Sequence, residues 1–522
     1  MTARQLVHTY ISKDAAFEVS ANLIIVPVTA EQLLAHARAL HVSHRLRLMT
    51  VKAEDARERH AAFRIFYIFA VPGESQLLGL RLDVPEGQAA PSLVETMHEA
   101  SLYEREIHSF FGIEFAGHPD TRPFILHENW PADVHPLCKD VAWNKRPKEA
   151  HEEYTFHQLQ GEGVYEIPVG PIHAGVIEPG HFRFSVVGEE IVRLEPQLGF
   201  VHKGIEKLFE LLPLQRQCEL AENVSGDTAF SHSLAFCQAV ETLAGIKVPM
   251  RAKYLRVIFS ELERLANHVN DIGFILNDTG FTFGGSNGTR LREQIVQICE
   301  RLGDHRFLRG VSCIGGVTKD ISPSAALALQ EELVHFGKDF QEFVDITADS
   351  ETVANRLHTT GVLQRQIAYD HGVVGVAAKA AGLARDVRVE HPYAAYDELP
   401  LKIARETDGD VYARYQVRVR EVVASLDVIR RALDVLPRGP IVADGEVQMP
   451  KHAYAVGVTE GWRGDIVYFI GTDADGAITR VGVRDPSFLN WPAVPFAVAG
   501  NIVPDFPLIN KSFNLSYSGF DR

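Results

Sequence analysis

A long apolar stripe in the middle of the chain constrains its fold more than any other feature. The stripe repeats every three and four residues, as one face of an α-helix does, and consists of Leu255, Ile258, Phe259, Leu262, Leu265, Ala266 and Val269. Similar stripes run through 285–308, 322–348 and 412–436. Apolar helical faces must pack against other apolar surfaces, so this half of the chain is predicted to be mainly helical.

Other parts of the chain carry patterns typical of β-strands. Residues 1–130 mix apolar-alternating segments such as 63–69 with helical stretches. Residues 182–194 alternate around a Gly-Glu pair, which predicts a hairpin, and 453–483 return to the strand pattern. Between these parts, 131–165 is rich in Pro, His, Lys and Glu, as a connecting arm would be.

These patterns predict an α+β protein of more than one domain. The 522 residues exceed what a single hydrophobic core usually serves. We expect an N-terminal α/β sandwich-type domain over 1–145 and a linker over 146–165. A mainly helical domain with peripheral β-strands is predicted to follow over 166–522.

The composition excludes several classes of function. A net charge of −16 argues against a nucleic-acid binder and against adhesion to anionic lipid through a basic patch. No apolar run approaches the roughly 20 residues of a membrane helix, and the N-terminus lacks the apolar core of a signal peptide. The cysteines form no Cys-x-x-Cys pair, which suggests a reducing compartment; they are Cys138, Cys218, Cys237, Cys299 and Cys313. We therefore expect a cytoplasmic chain, peripheral on the inner face of the membrane through partner subunits.

Ordered sequence blocks in the C-terminal part carry a family resemblance. The blocks are 170–173 (Gly-Pro-Ile-His), 178–184, 202–207, 246–252, 261–268, 460–465 and 484–490. In this order they resemble the large subunit of nickel–iron hydrogenases. Within that family, the chain resembles the energy-converting branch of formate hydrogenlyase and hydrogenase-4. This branch is related to the 49-kDa (D) subunit of respiratory complex I.

The N-terminal part has a separate resemblance. Its blocks are 102–106, 110–113, 117–120, Trp130 and 135–137. They resemble the 30-kDa (C) subunit of complex I, which is fused to the large subunit in formate hydrogenlyase-type enzymes. The two resemblances together cover most of the chain.

The thiolates that hold the nickel in the hydrogenases are missing here. A soft metal ion needs a pair of thiolates one helical turn apart. The resemblance implies that cysteines would stand at Ser225, Thr228, Ser516 and Gly519, and none does. We therefore expect no metal site in this chain, and a site of Asp227 with two hydroxyls would be a weak one for a hard ion. The expectation is a small polar cavity, either satisfied internally or open to a ligand.

The resemblance also implies which side chains meet at this cavity. The two former ligand pairs come from opposite ends of the catalytic domain, and the fold must bring those ends together. We predict that a substrate-binding group converges there, consisting of His173, Ser225, Asp227, Thr228, His232 and Ser516. We also predict that Asp227 lies close to Arg463, whose positive charge would keep the carboxylate ionised.

Three residues are predicted to be catalytic because of their counterparts in the family. In complex I the loop matching His173 lines the quinone headgroup pocket, with the histidine as a proton donor. In the hydrogenases the counterpart of Glu178 is a proton-relay candidate, and that of Arg463 hangs over the metal. The alternative for His173, and for the neighbouring His181, is that each only hydrogen-bonds the turn in which it lies.

A proton-coupling network is predicted from charged residues beside the apolar stripe. Arg264 and His268 are four residues apart on one helical face, and Glu263 is adjacent. Glu206 lies near the start of another predicted helix, where the helix dipole alone would stabilise a carboxylate. Buried charges must be paired in any case, so a purely structural seam is the alternative.

Together these features predict an electron-transfer subunit of a membrane-associated complex that resembles complex I and formate hydrogenlyase. It would form a site for a quinone or another acceptor with an iron–sulfur subunit of the complex I B type, and would bind no cofactor itself. The other expected partners are a ferredoxin-like iron–sulfur subunit and membrane subunits of the complex I H type and the antiporter type. The B-type subunit is expected on the face of the 170–184 loop, the 225–232 turn and the tail, with 506–509 and Phe513 adding apolar contacts.

Two alternatives remain open from the sequence. One is a true hydrogenase, which is disfavoured because no compensating cysteines lie near either lost pair. The other is a scaffold that keeps the fold without chemistry. In either case the chain is not expected to be an enzyme on its own.

Overall fold

The computed structural model describes residues 2–11, 16–151, 153–174 and 177–522, and a five-stranded sheet organises its N-terminal part. The strands are β1 Glu18–Ser20, β2 Leu23–Val28, β3 Leu48–Asp55, β4 Ala62–Phe69 and β5 Leu77–Pro85. They lie in the order β1-β2-β5-β4-β3, with only the β2–β5 pair parallel. The α-helices here are α1 Ala3–Leu6, α2 Ala30–Arg38, α3 Arg57–His60 and α4 Ala100–Phe111, and two short strands are β6 Ala90–Pro91 and β7 Phe115–Ala116. Segments of π-helix follow α1 at Val7–Ile11 and α2 at Ala39–Ser43.

A three-stranded antiparallel sheet opens the C-terminal part, and helices follow it. The strands are β8 Val164–Val169, β9 His181–Val187 and β10 Glu190–Gln197. The helices are α5 Ile205–Phe209, α6 Leu214–Ala221, α7 Ala229–Ala244, α8 Met250–Asp278, α9 Thr282–Gly303, α10 Pro323–Ala348, α11 Glu351–Leu357, α12 Arg365–Asp370, α13 Gly375–Ala380, α14 Val387–Glu390, α15 Val411–Asp434, α16 Pro486–Asn490, α17 Val494–Val498, α18 Phe506–Phe513 and α19 Tyr517–Asp521. The remaining strands are β11 Ser312–Cys313, β12 Gly316–Val317, β13 Tyr454–Gly461, β14 Gly464–Thr472 and β15 Ile478–Arg484.

The predicted α+β fold and the helical stripes are confirmed. The stripe at 255–269 lies in α8, which packs against α9 on one side and α15 on another. A Cβ added to Gly288 of α9 would lie 2.4 Å from the Cα of Gly273 in α8, so glycine is required where the two helices cross. The described helices include none with the length and apolarity needed to cross a membrane.

The N-terminal sheet is covered on both faces, which the alternating pattern of 63–69 does not by itself indicate. All eight residues of β4 are buried. One face packs under the helices α2 and α4, and the other meets β13 and β14 of the C-terminal part. The ring of Phe66 lies 4.8 Å from that of Tyr454 and 4.9 Å from that of Phe469, centroid to centroid. The two parts of the chain therefore share one hydrophobic interface.

The C-terminal tail packs into the molecule rather than presenting an apolar face. Leu508, Ile509 and Phe513 of α18 are buried, whereas Phe506 is partly open and Pro507 is exposed. The expectation that these residues would form the apolar part of a partner contact is therefore wrong for the three buried ones. The helix that carries these side chains packs against α8 and α15 within the chain.

Candidate functional site

The turn before α7 and the start of α19 meet as predicted. Ser225, Asp227 and Thr228 lie in this turn, and Ser516 is the N-cap residue of α19. The hydroxyl oxygens of Ser225 and Ser516 lie 2.9 Å apart, although 291 positions separate them along the chain. The convergence of the two former ligand pairs is thereby confirmed. Ser225, Asp227, Thr228, Arg463 and Ser516 are called the hydroxyl pocket from here on.

Arg463 closes the pocket with a two-pronged contact to Asp227. It lies in the tight turn between β13 and β14, and its Nη1 and Nη2 each donate to one carboxylate oxygen of Asp227 at 2.7 Å. Its Nε donates to the carbonyl of Asn514 at 2.5 Å, and its guanidinium lies 3.8 Å from the centre of the Trp462 ring. This fork geometry is the strong form of an arginine–carboxylate contact. The predicted proximity of the two residues is confirmed.

The pocket keeps Asp227 ionised. Burial alone would raise the pKa of this carboxyl, but the Arg463 charge and the hydroxyls of Thr228 and Ser225 outweigh burial and lower the pKa to about 2. Both hydroxyls donate to Oδ1, at 2.9 and 3.0 Å. The Asp227 side chain is 37% exposed, whereas the other members of the pocket are buried. The outward face of the pocket is therefore an anion.

The residues at the four former ligand positions do not fit a nickel–iron centre. Hydroxyl oxygens replace three thiolates and are hydrogen-bonded within the pocket. A Cβ at Gly519 would lie 2.5 Å from the Cγ of Asp485, so the carboxylate of Asp485 fills the place of a fourth ligand side chain. Asp485 is fixed there by the Ser487 amide at 2.6 Å and by His232 Nε2 at 3.1 Å.

His232 lies behind the pocket rather than in it. Its imidazole is fully buried between the Tyr468 hydroxyl and Asp485, each 3.1 Å away. It therefore has no surface with which to contact a ligand directly, contrary to the expected substrate-binding role. Its contact with Asp485 supports the wall of the pocket instead.

The loop before β9 reaches the pocket through the tail. Oε2 of Glu178 accepts the backbone amide of Ser518, two residues beyond Ser516, at 3.1 Å. His173 is half-buried, and its Nε2 lies 2.7 Å from the carbonyl oxygen of Gly180. His181 Nδ1 lies 3.4 Å from the carbonyl oxygen of Gly170. Both histidines thus hydrogen-bond their own loop, and Glu178 is the loop residue that touches the pocket region.

Glu263 lies on the inner side of the same turn. Its carboxylate accepts the backbone amides of Phe230 and Ser231 at the start of α7, at 2.8 and 3.2 Å, and the Ser231 hydroxyl at 2.5 Å. Burial raises the pKa of Glu263 to about 7, against the opposing effect of these hydrogen bonds. Asn267 links this carboxylate region to the pocket, because its amide donates to the carbonyl of Asp227 at 2.9 Å.

A cluster of buried charges fills the space between α8, α13 and α15. Its members, called the core ion cluster, are Glu261, Arg264, His268, Lys379, Asp386, Arg388, Glu421 and Glu460. Lys379 Nζ contacts Asp386 and Glu421 at 2.7 Å each. Glu421 also accepts from His268 at 2.7 Å and lies 3.3 Å from Arg264. The prediction that Arg264 and His268 share a polar seam is confirmed.

Charge balance in this cluster leaves one carboxyl able to hold a proton near neutral pH. Three cations face four carboxylates, and burial lowers the pKa of His268 to about 4, so that histidine is neutral. Burial and the nearby Asp386 raise the pKa of Glu460 to about 7. The ring of His268 lies 6.3 Å from that of Trp462, which links the cluster to Arg463.

Most of this cluster was not predicted from the sequence. Lys379 carried a signal, since it is the one charge in the apolar run 373–381. Glu421 and Asp386 carried none, because their partners lie in distant segments. Asp485 stood inside a recognised sequence block, but its place at Gly519 follows only from the fold.

Glu206 belongs to a different cluster, so the four predicted network residues do not form one network. Its carboxylate contacts Arg480 at 2.7 Å and Lys52 at 3.2 Å, and the guanidinium of Arg522 at 3.6 Å. These cations hold the pKa of Glu206 well below its usual range, although burial opposes them. Lys52 comes from β3 and Arg522 from the C-terminus, so Glu206 joins the two parts of the chain.

Comparison with known proteins identifies relatives for both parts. The family model of the respiratory-chain NADH dehydrogenase 30 Kd subunit matches residues 26–147. The model of the 49 Kd subunit matches 278–456 and 445–522. The match to the 30 Kd subunit therefore precedes the match to the 49 Kd subunit along the chain.

Individual relatives cover nearly the full length. Formate hydrogenlyase subunit 5 of Escherichia coli (strain K12) is 32% identical over 91% of this chain and 84% of that protein. Hydrogenase-4 component G of the same organism is 33% identical over 92% of this chain and 85% of that protein. A solved chain of the membrane-bound sulfane sulfur reductase, an archaeal respiratory membrane complex, superposes with a TM-score of 0.65 at 25% identity, covering 69% of this chain and 99% of that one.

Proposed function

The chain belongs to the family of complex I-like and formate hydrogenlyase-type subunits in which a 30-kDa domain precedes a 49-kDa domain, and we propose that it forms an electron-acceptor site within a membrane-associated complex. Its relatives are subunits of such multi-subunit complexes. The acceptor is proposed to be a quinone or another small molecule. Association with the membrane is proposed to be peripheral, through partner subunits.

The Arg463–Asp227 fork is the observation that carries this proposal. The fork lies where two distant ends of the chain meet, at the position where the resemblance to nickel–iron hydrogenases implies the reactive site. The fork holds a fixed positive charge beneath an ionised carboxylate, with 37% of that side chain open. Preorganised charges of this kind stabilise charge that develops on a bound molecule.

Electrons are proposed to arrive from outside the chain. Iron–sulfur clusters are held by groups of thiolates, and the five cysteines here contain no Cys-x-x-Cys spacing. An iron–sulfur subunit of the complex I B type is the proposed donor, docked over the 225–232 turn. A ferredoxin-like subunit, a subunit of the H type and antiporter-type subunits complete the proposed assembly.

Proton coupling is proposed to use two buried carboxyls near the pocket. Glu263 accepts the amides at the start of α7, and Glu460 lies two residues before Trp462, whose indole donates to Thr228 at 3.1 Å. Each carboxyl has a pKa of about 7 because of burial. Groups that titrate near the working pH can take up and release a proton during turnover. The ion pairs that Lys379 forms with Glu460 and with Glu421 would transmit the resulting change of charge through the core ion cluster.

Two substitutions in the purified complex test the proposed site. Asp227→Asn removes the anion, and Arg463→Lys keeps the charge but loses the two-pronged contact. We expect each to lower electron transfer to the acceptor by about tenfold or more, as removal of a preorganised polar group does. Asp475→Asn, in the exposed turn between β14 and β15, is the matched control and should be neutral.

Assembly of the variant complexes must be checked beside turnover. If both variants assemble and turn over like the wild type, the hydroxyl pocket is a structural remnant and the chain is a scaffold. If they assemble but transfer electrons slowly, the pocket is the acceptor site.

A further inference from the structure

A second cavity lies between the N-terminal part and the helices α12 to α14. It has a volume of about 970 Å³, and four arginines face it: Arg45, Arg47, Arg365 and Arg385. The carboxylates in its lining are Asp370 and Glu390. This excess of positive charge contrasts with the net charge of −16 of the whole chain. The cavity is called the arginine cleft.

Three of these guanidinium groups form no ion pair within the described part of the chain. Among the described residues, no carboxylate oxygen lies within 4.0 Å of the side-chain nitrogens of Arg45, Arg365 or Arg385, although ion pairs are numerous elsewhere. Asp370 is engaged by the amide of Gln366 at 2.7 Å. The lining therefore offers several donors that the protein itself does not use.

Arg47 adds an incompletely satisfied donor at the cleft wall. Its side chain is only 10% exposed, with Nη1 bonded to Asp465 at 2.9 Å and Nη2 lying 3.6 Å from Glu390. Its Nε and Nη2 have no hydrogen-bond partner among the described residues. A buried donor left without a partner is costly, and an entering anion would supply one.

Arg385 lies near Arg47 and is partly buried. Its guanidinium is 5.4 Å from the centre of the Tyr369 ring, and Nη1 donates to the carbonyl of Val373 at 3.3 Å. Burial and the neighbouring positive charge of Arg47 both lower the pKa of Arg385. The carboxylates of Glu390 and Asp465 act on both guanidinium groups but lie within ion-pair distance only of Arg47, so Arg385 keeps a charge that an entering anion can meet.

We propose that the arginine cleft binds a small phosphate-bearing anion, with Arg365 and Arg385 as its main contacts. Guanidinium forks match phosphate oxygens in geometry and charge. The volume suits a ligand of nucleotide size, and the flat rings of Tyr369 and His41 also line the cleft. The cleft is separate from the hydroxyl pocket: Arg463 faces the pocket, whereas Asp465, two residues further, bonds to Arg47.

Titration calorimetry of the full chain with inorganic pyrophosphate and with ADP tests this site. We expect saturable binding of pyrophosphate that weakens with added salt. Arg365→Gln and Arg385→Gln should each raise the Kd about tenfold, as loss of a charge-assisted contact does. Arg438→Gln, which removes an exposed guanidinium outside the cleft, should leave the Kd unchanged.

The two probes distinguish recognition of phosphate alone from recognition of a whole nucleotide. Binding of pyrophosphate and ADP with similar strength supports phosphate recognition, and tighter binding of ADP adds recognition of the base. Arg365 is exposed, so its variant still tests the site if Arg385→Gln fails to fold. No saturable binding of either probe would overturn the proposal, as would equal weakening by Arg438→Gln. Binding of a short polyglutamate peptide alone would also overturn it, by making the cleft a protein contact.

Discussion

At the scale of single residues, the hydroxyl pocket is stable because its polar side chains have partners within the chain. Ser225 and Thr228 donate to Asp227, and Arg463 supplies the opposite charge. Without Arg463, only the hydroxyl donors would offset the free-energy cost of removing the Asp227 carboxylate from water. The polar groups of the pocket therefore satisfy one another within the chain.

Gly519→Ala tests how the fourth ligand position has been closed. The new Cβ would lie 2.5 Å from the Cγ of Asp485, which its own hydrogen bonds hold in place. We expect a loss of about 1–3 kcal/mol of unfolding free energy, measured by chemical denaturation. The control is Gly337→Ala in α10, where the nearest atom would be 3.6 Å away, and it should be neutral or slightly stabilising. An equally neutral Gly519→Ala would show that Asp485 does not occupy that position.

The members of the pocket could be predicted from the sequence, but their contacts could not. Ser225, Thr228, Ser516 and Gly519 were identified because the blocks around them match a family in which these positions meet. The sequence predicts His232 among the binding residues because it follows Thr228 by four positions. Its burial depends on Tyr468 and Asp485, which are more than 200 positions away and carry no local signal.

At the scale of elements, α8 is the helix on which the site depends. Its apolar stripe packs against α9 and α15, and its polar residues point to the core ion cluster and to the pocket turn. The stripe was visible in the sequence because its period is local. The burial of the opposite face could not be predicted, because it depends on Lys379, Glu421 and Glu460, which lie in other elements.

The buried His268 between α8 and α15 predicts a pH dependence of stability. The unfolded chain binds a proton on this imidazole near its ordinary pKa of 6.5, whereas burial delays protonation in the folded chain to about pH 4. As the pH falls from 7 to 5, only the unfolded state gains this proton, so the unfolding free energy should fall by about 2 kcal/mol. His268→Gln should remove that part of the slope between pH 7 and 5.

The exposed His151 provides the control for this measurement. His151→Gln should keep the wild-type slope of unfolding free energy against pH, because this side chain lies outside the core. If His268→Gln also keeps the wild-type slope, His268 is not the buried neutral group that the structure indicates.

At the scale of the whole molecule, the N-terminal and C-terminal parts are joined by packed sheets and by a buried ionic contact. Lys52, Glu106, Glu206, Arg480 and Arg522 form that contact. The sequence resemblances indicated a fused chain, but the patterns within each part could not show that they share a core. The alternating run 63–69 predicts a strand, but the cover on its second face comes from β13, where Tyr454 packs against Phe66.

Glu206→Gln tests whether the two parts depend on this contact. The substitution leaves Lys52, Arg480 and Arg522 buried with Glu106 as the remaining anion. Removal of one partner from a buried ion cluster typically costs about 3–5 kcal/mol, so we expect a loss of that order in unfolding free energy. Glu189→Gln, in the exposed β9–β10 turn, should change stability little. A loss below about 1 kcal/mol for Glu206→Gln would contradict a central role for this contact.

The most direct test of the proposed acceptor site is elemental analysis of the purified complex together with its electron-transfer rate. A polar pocket of Asp227, Arg463 and three hydroxyls is proposed to act at the position where the resemblance to nickel–iron hydrogenases implies a metal. We expect iron from the partner subunits, nickel far below stoichiometric amounts, and electron transfer that depends on Asp227. Stoichiometric nickel that follows this chain through purification would contradict the proposal.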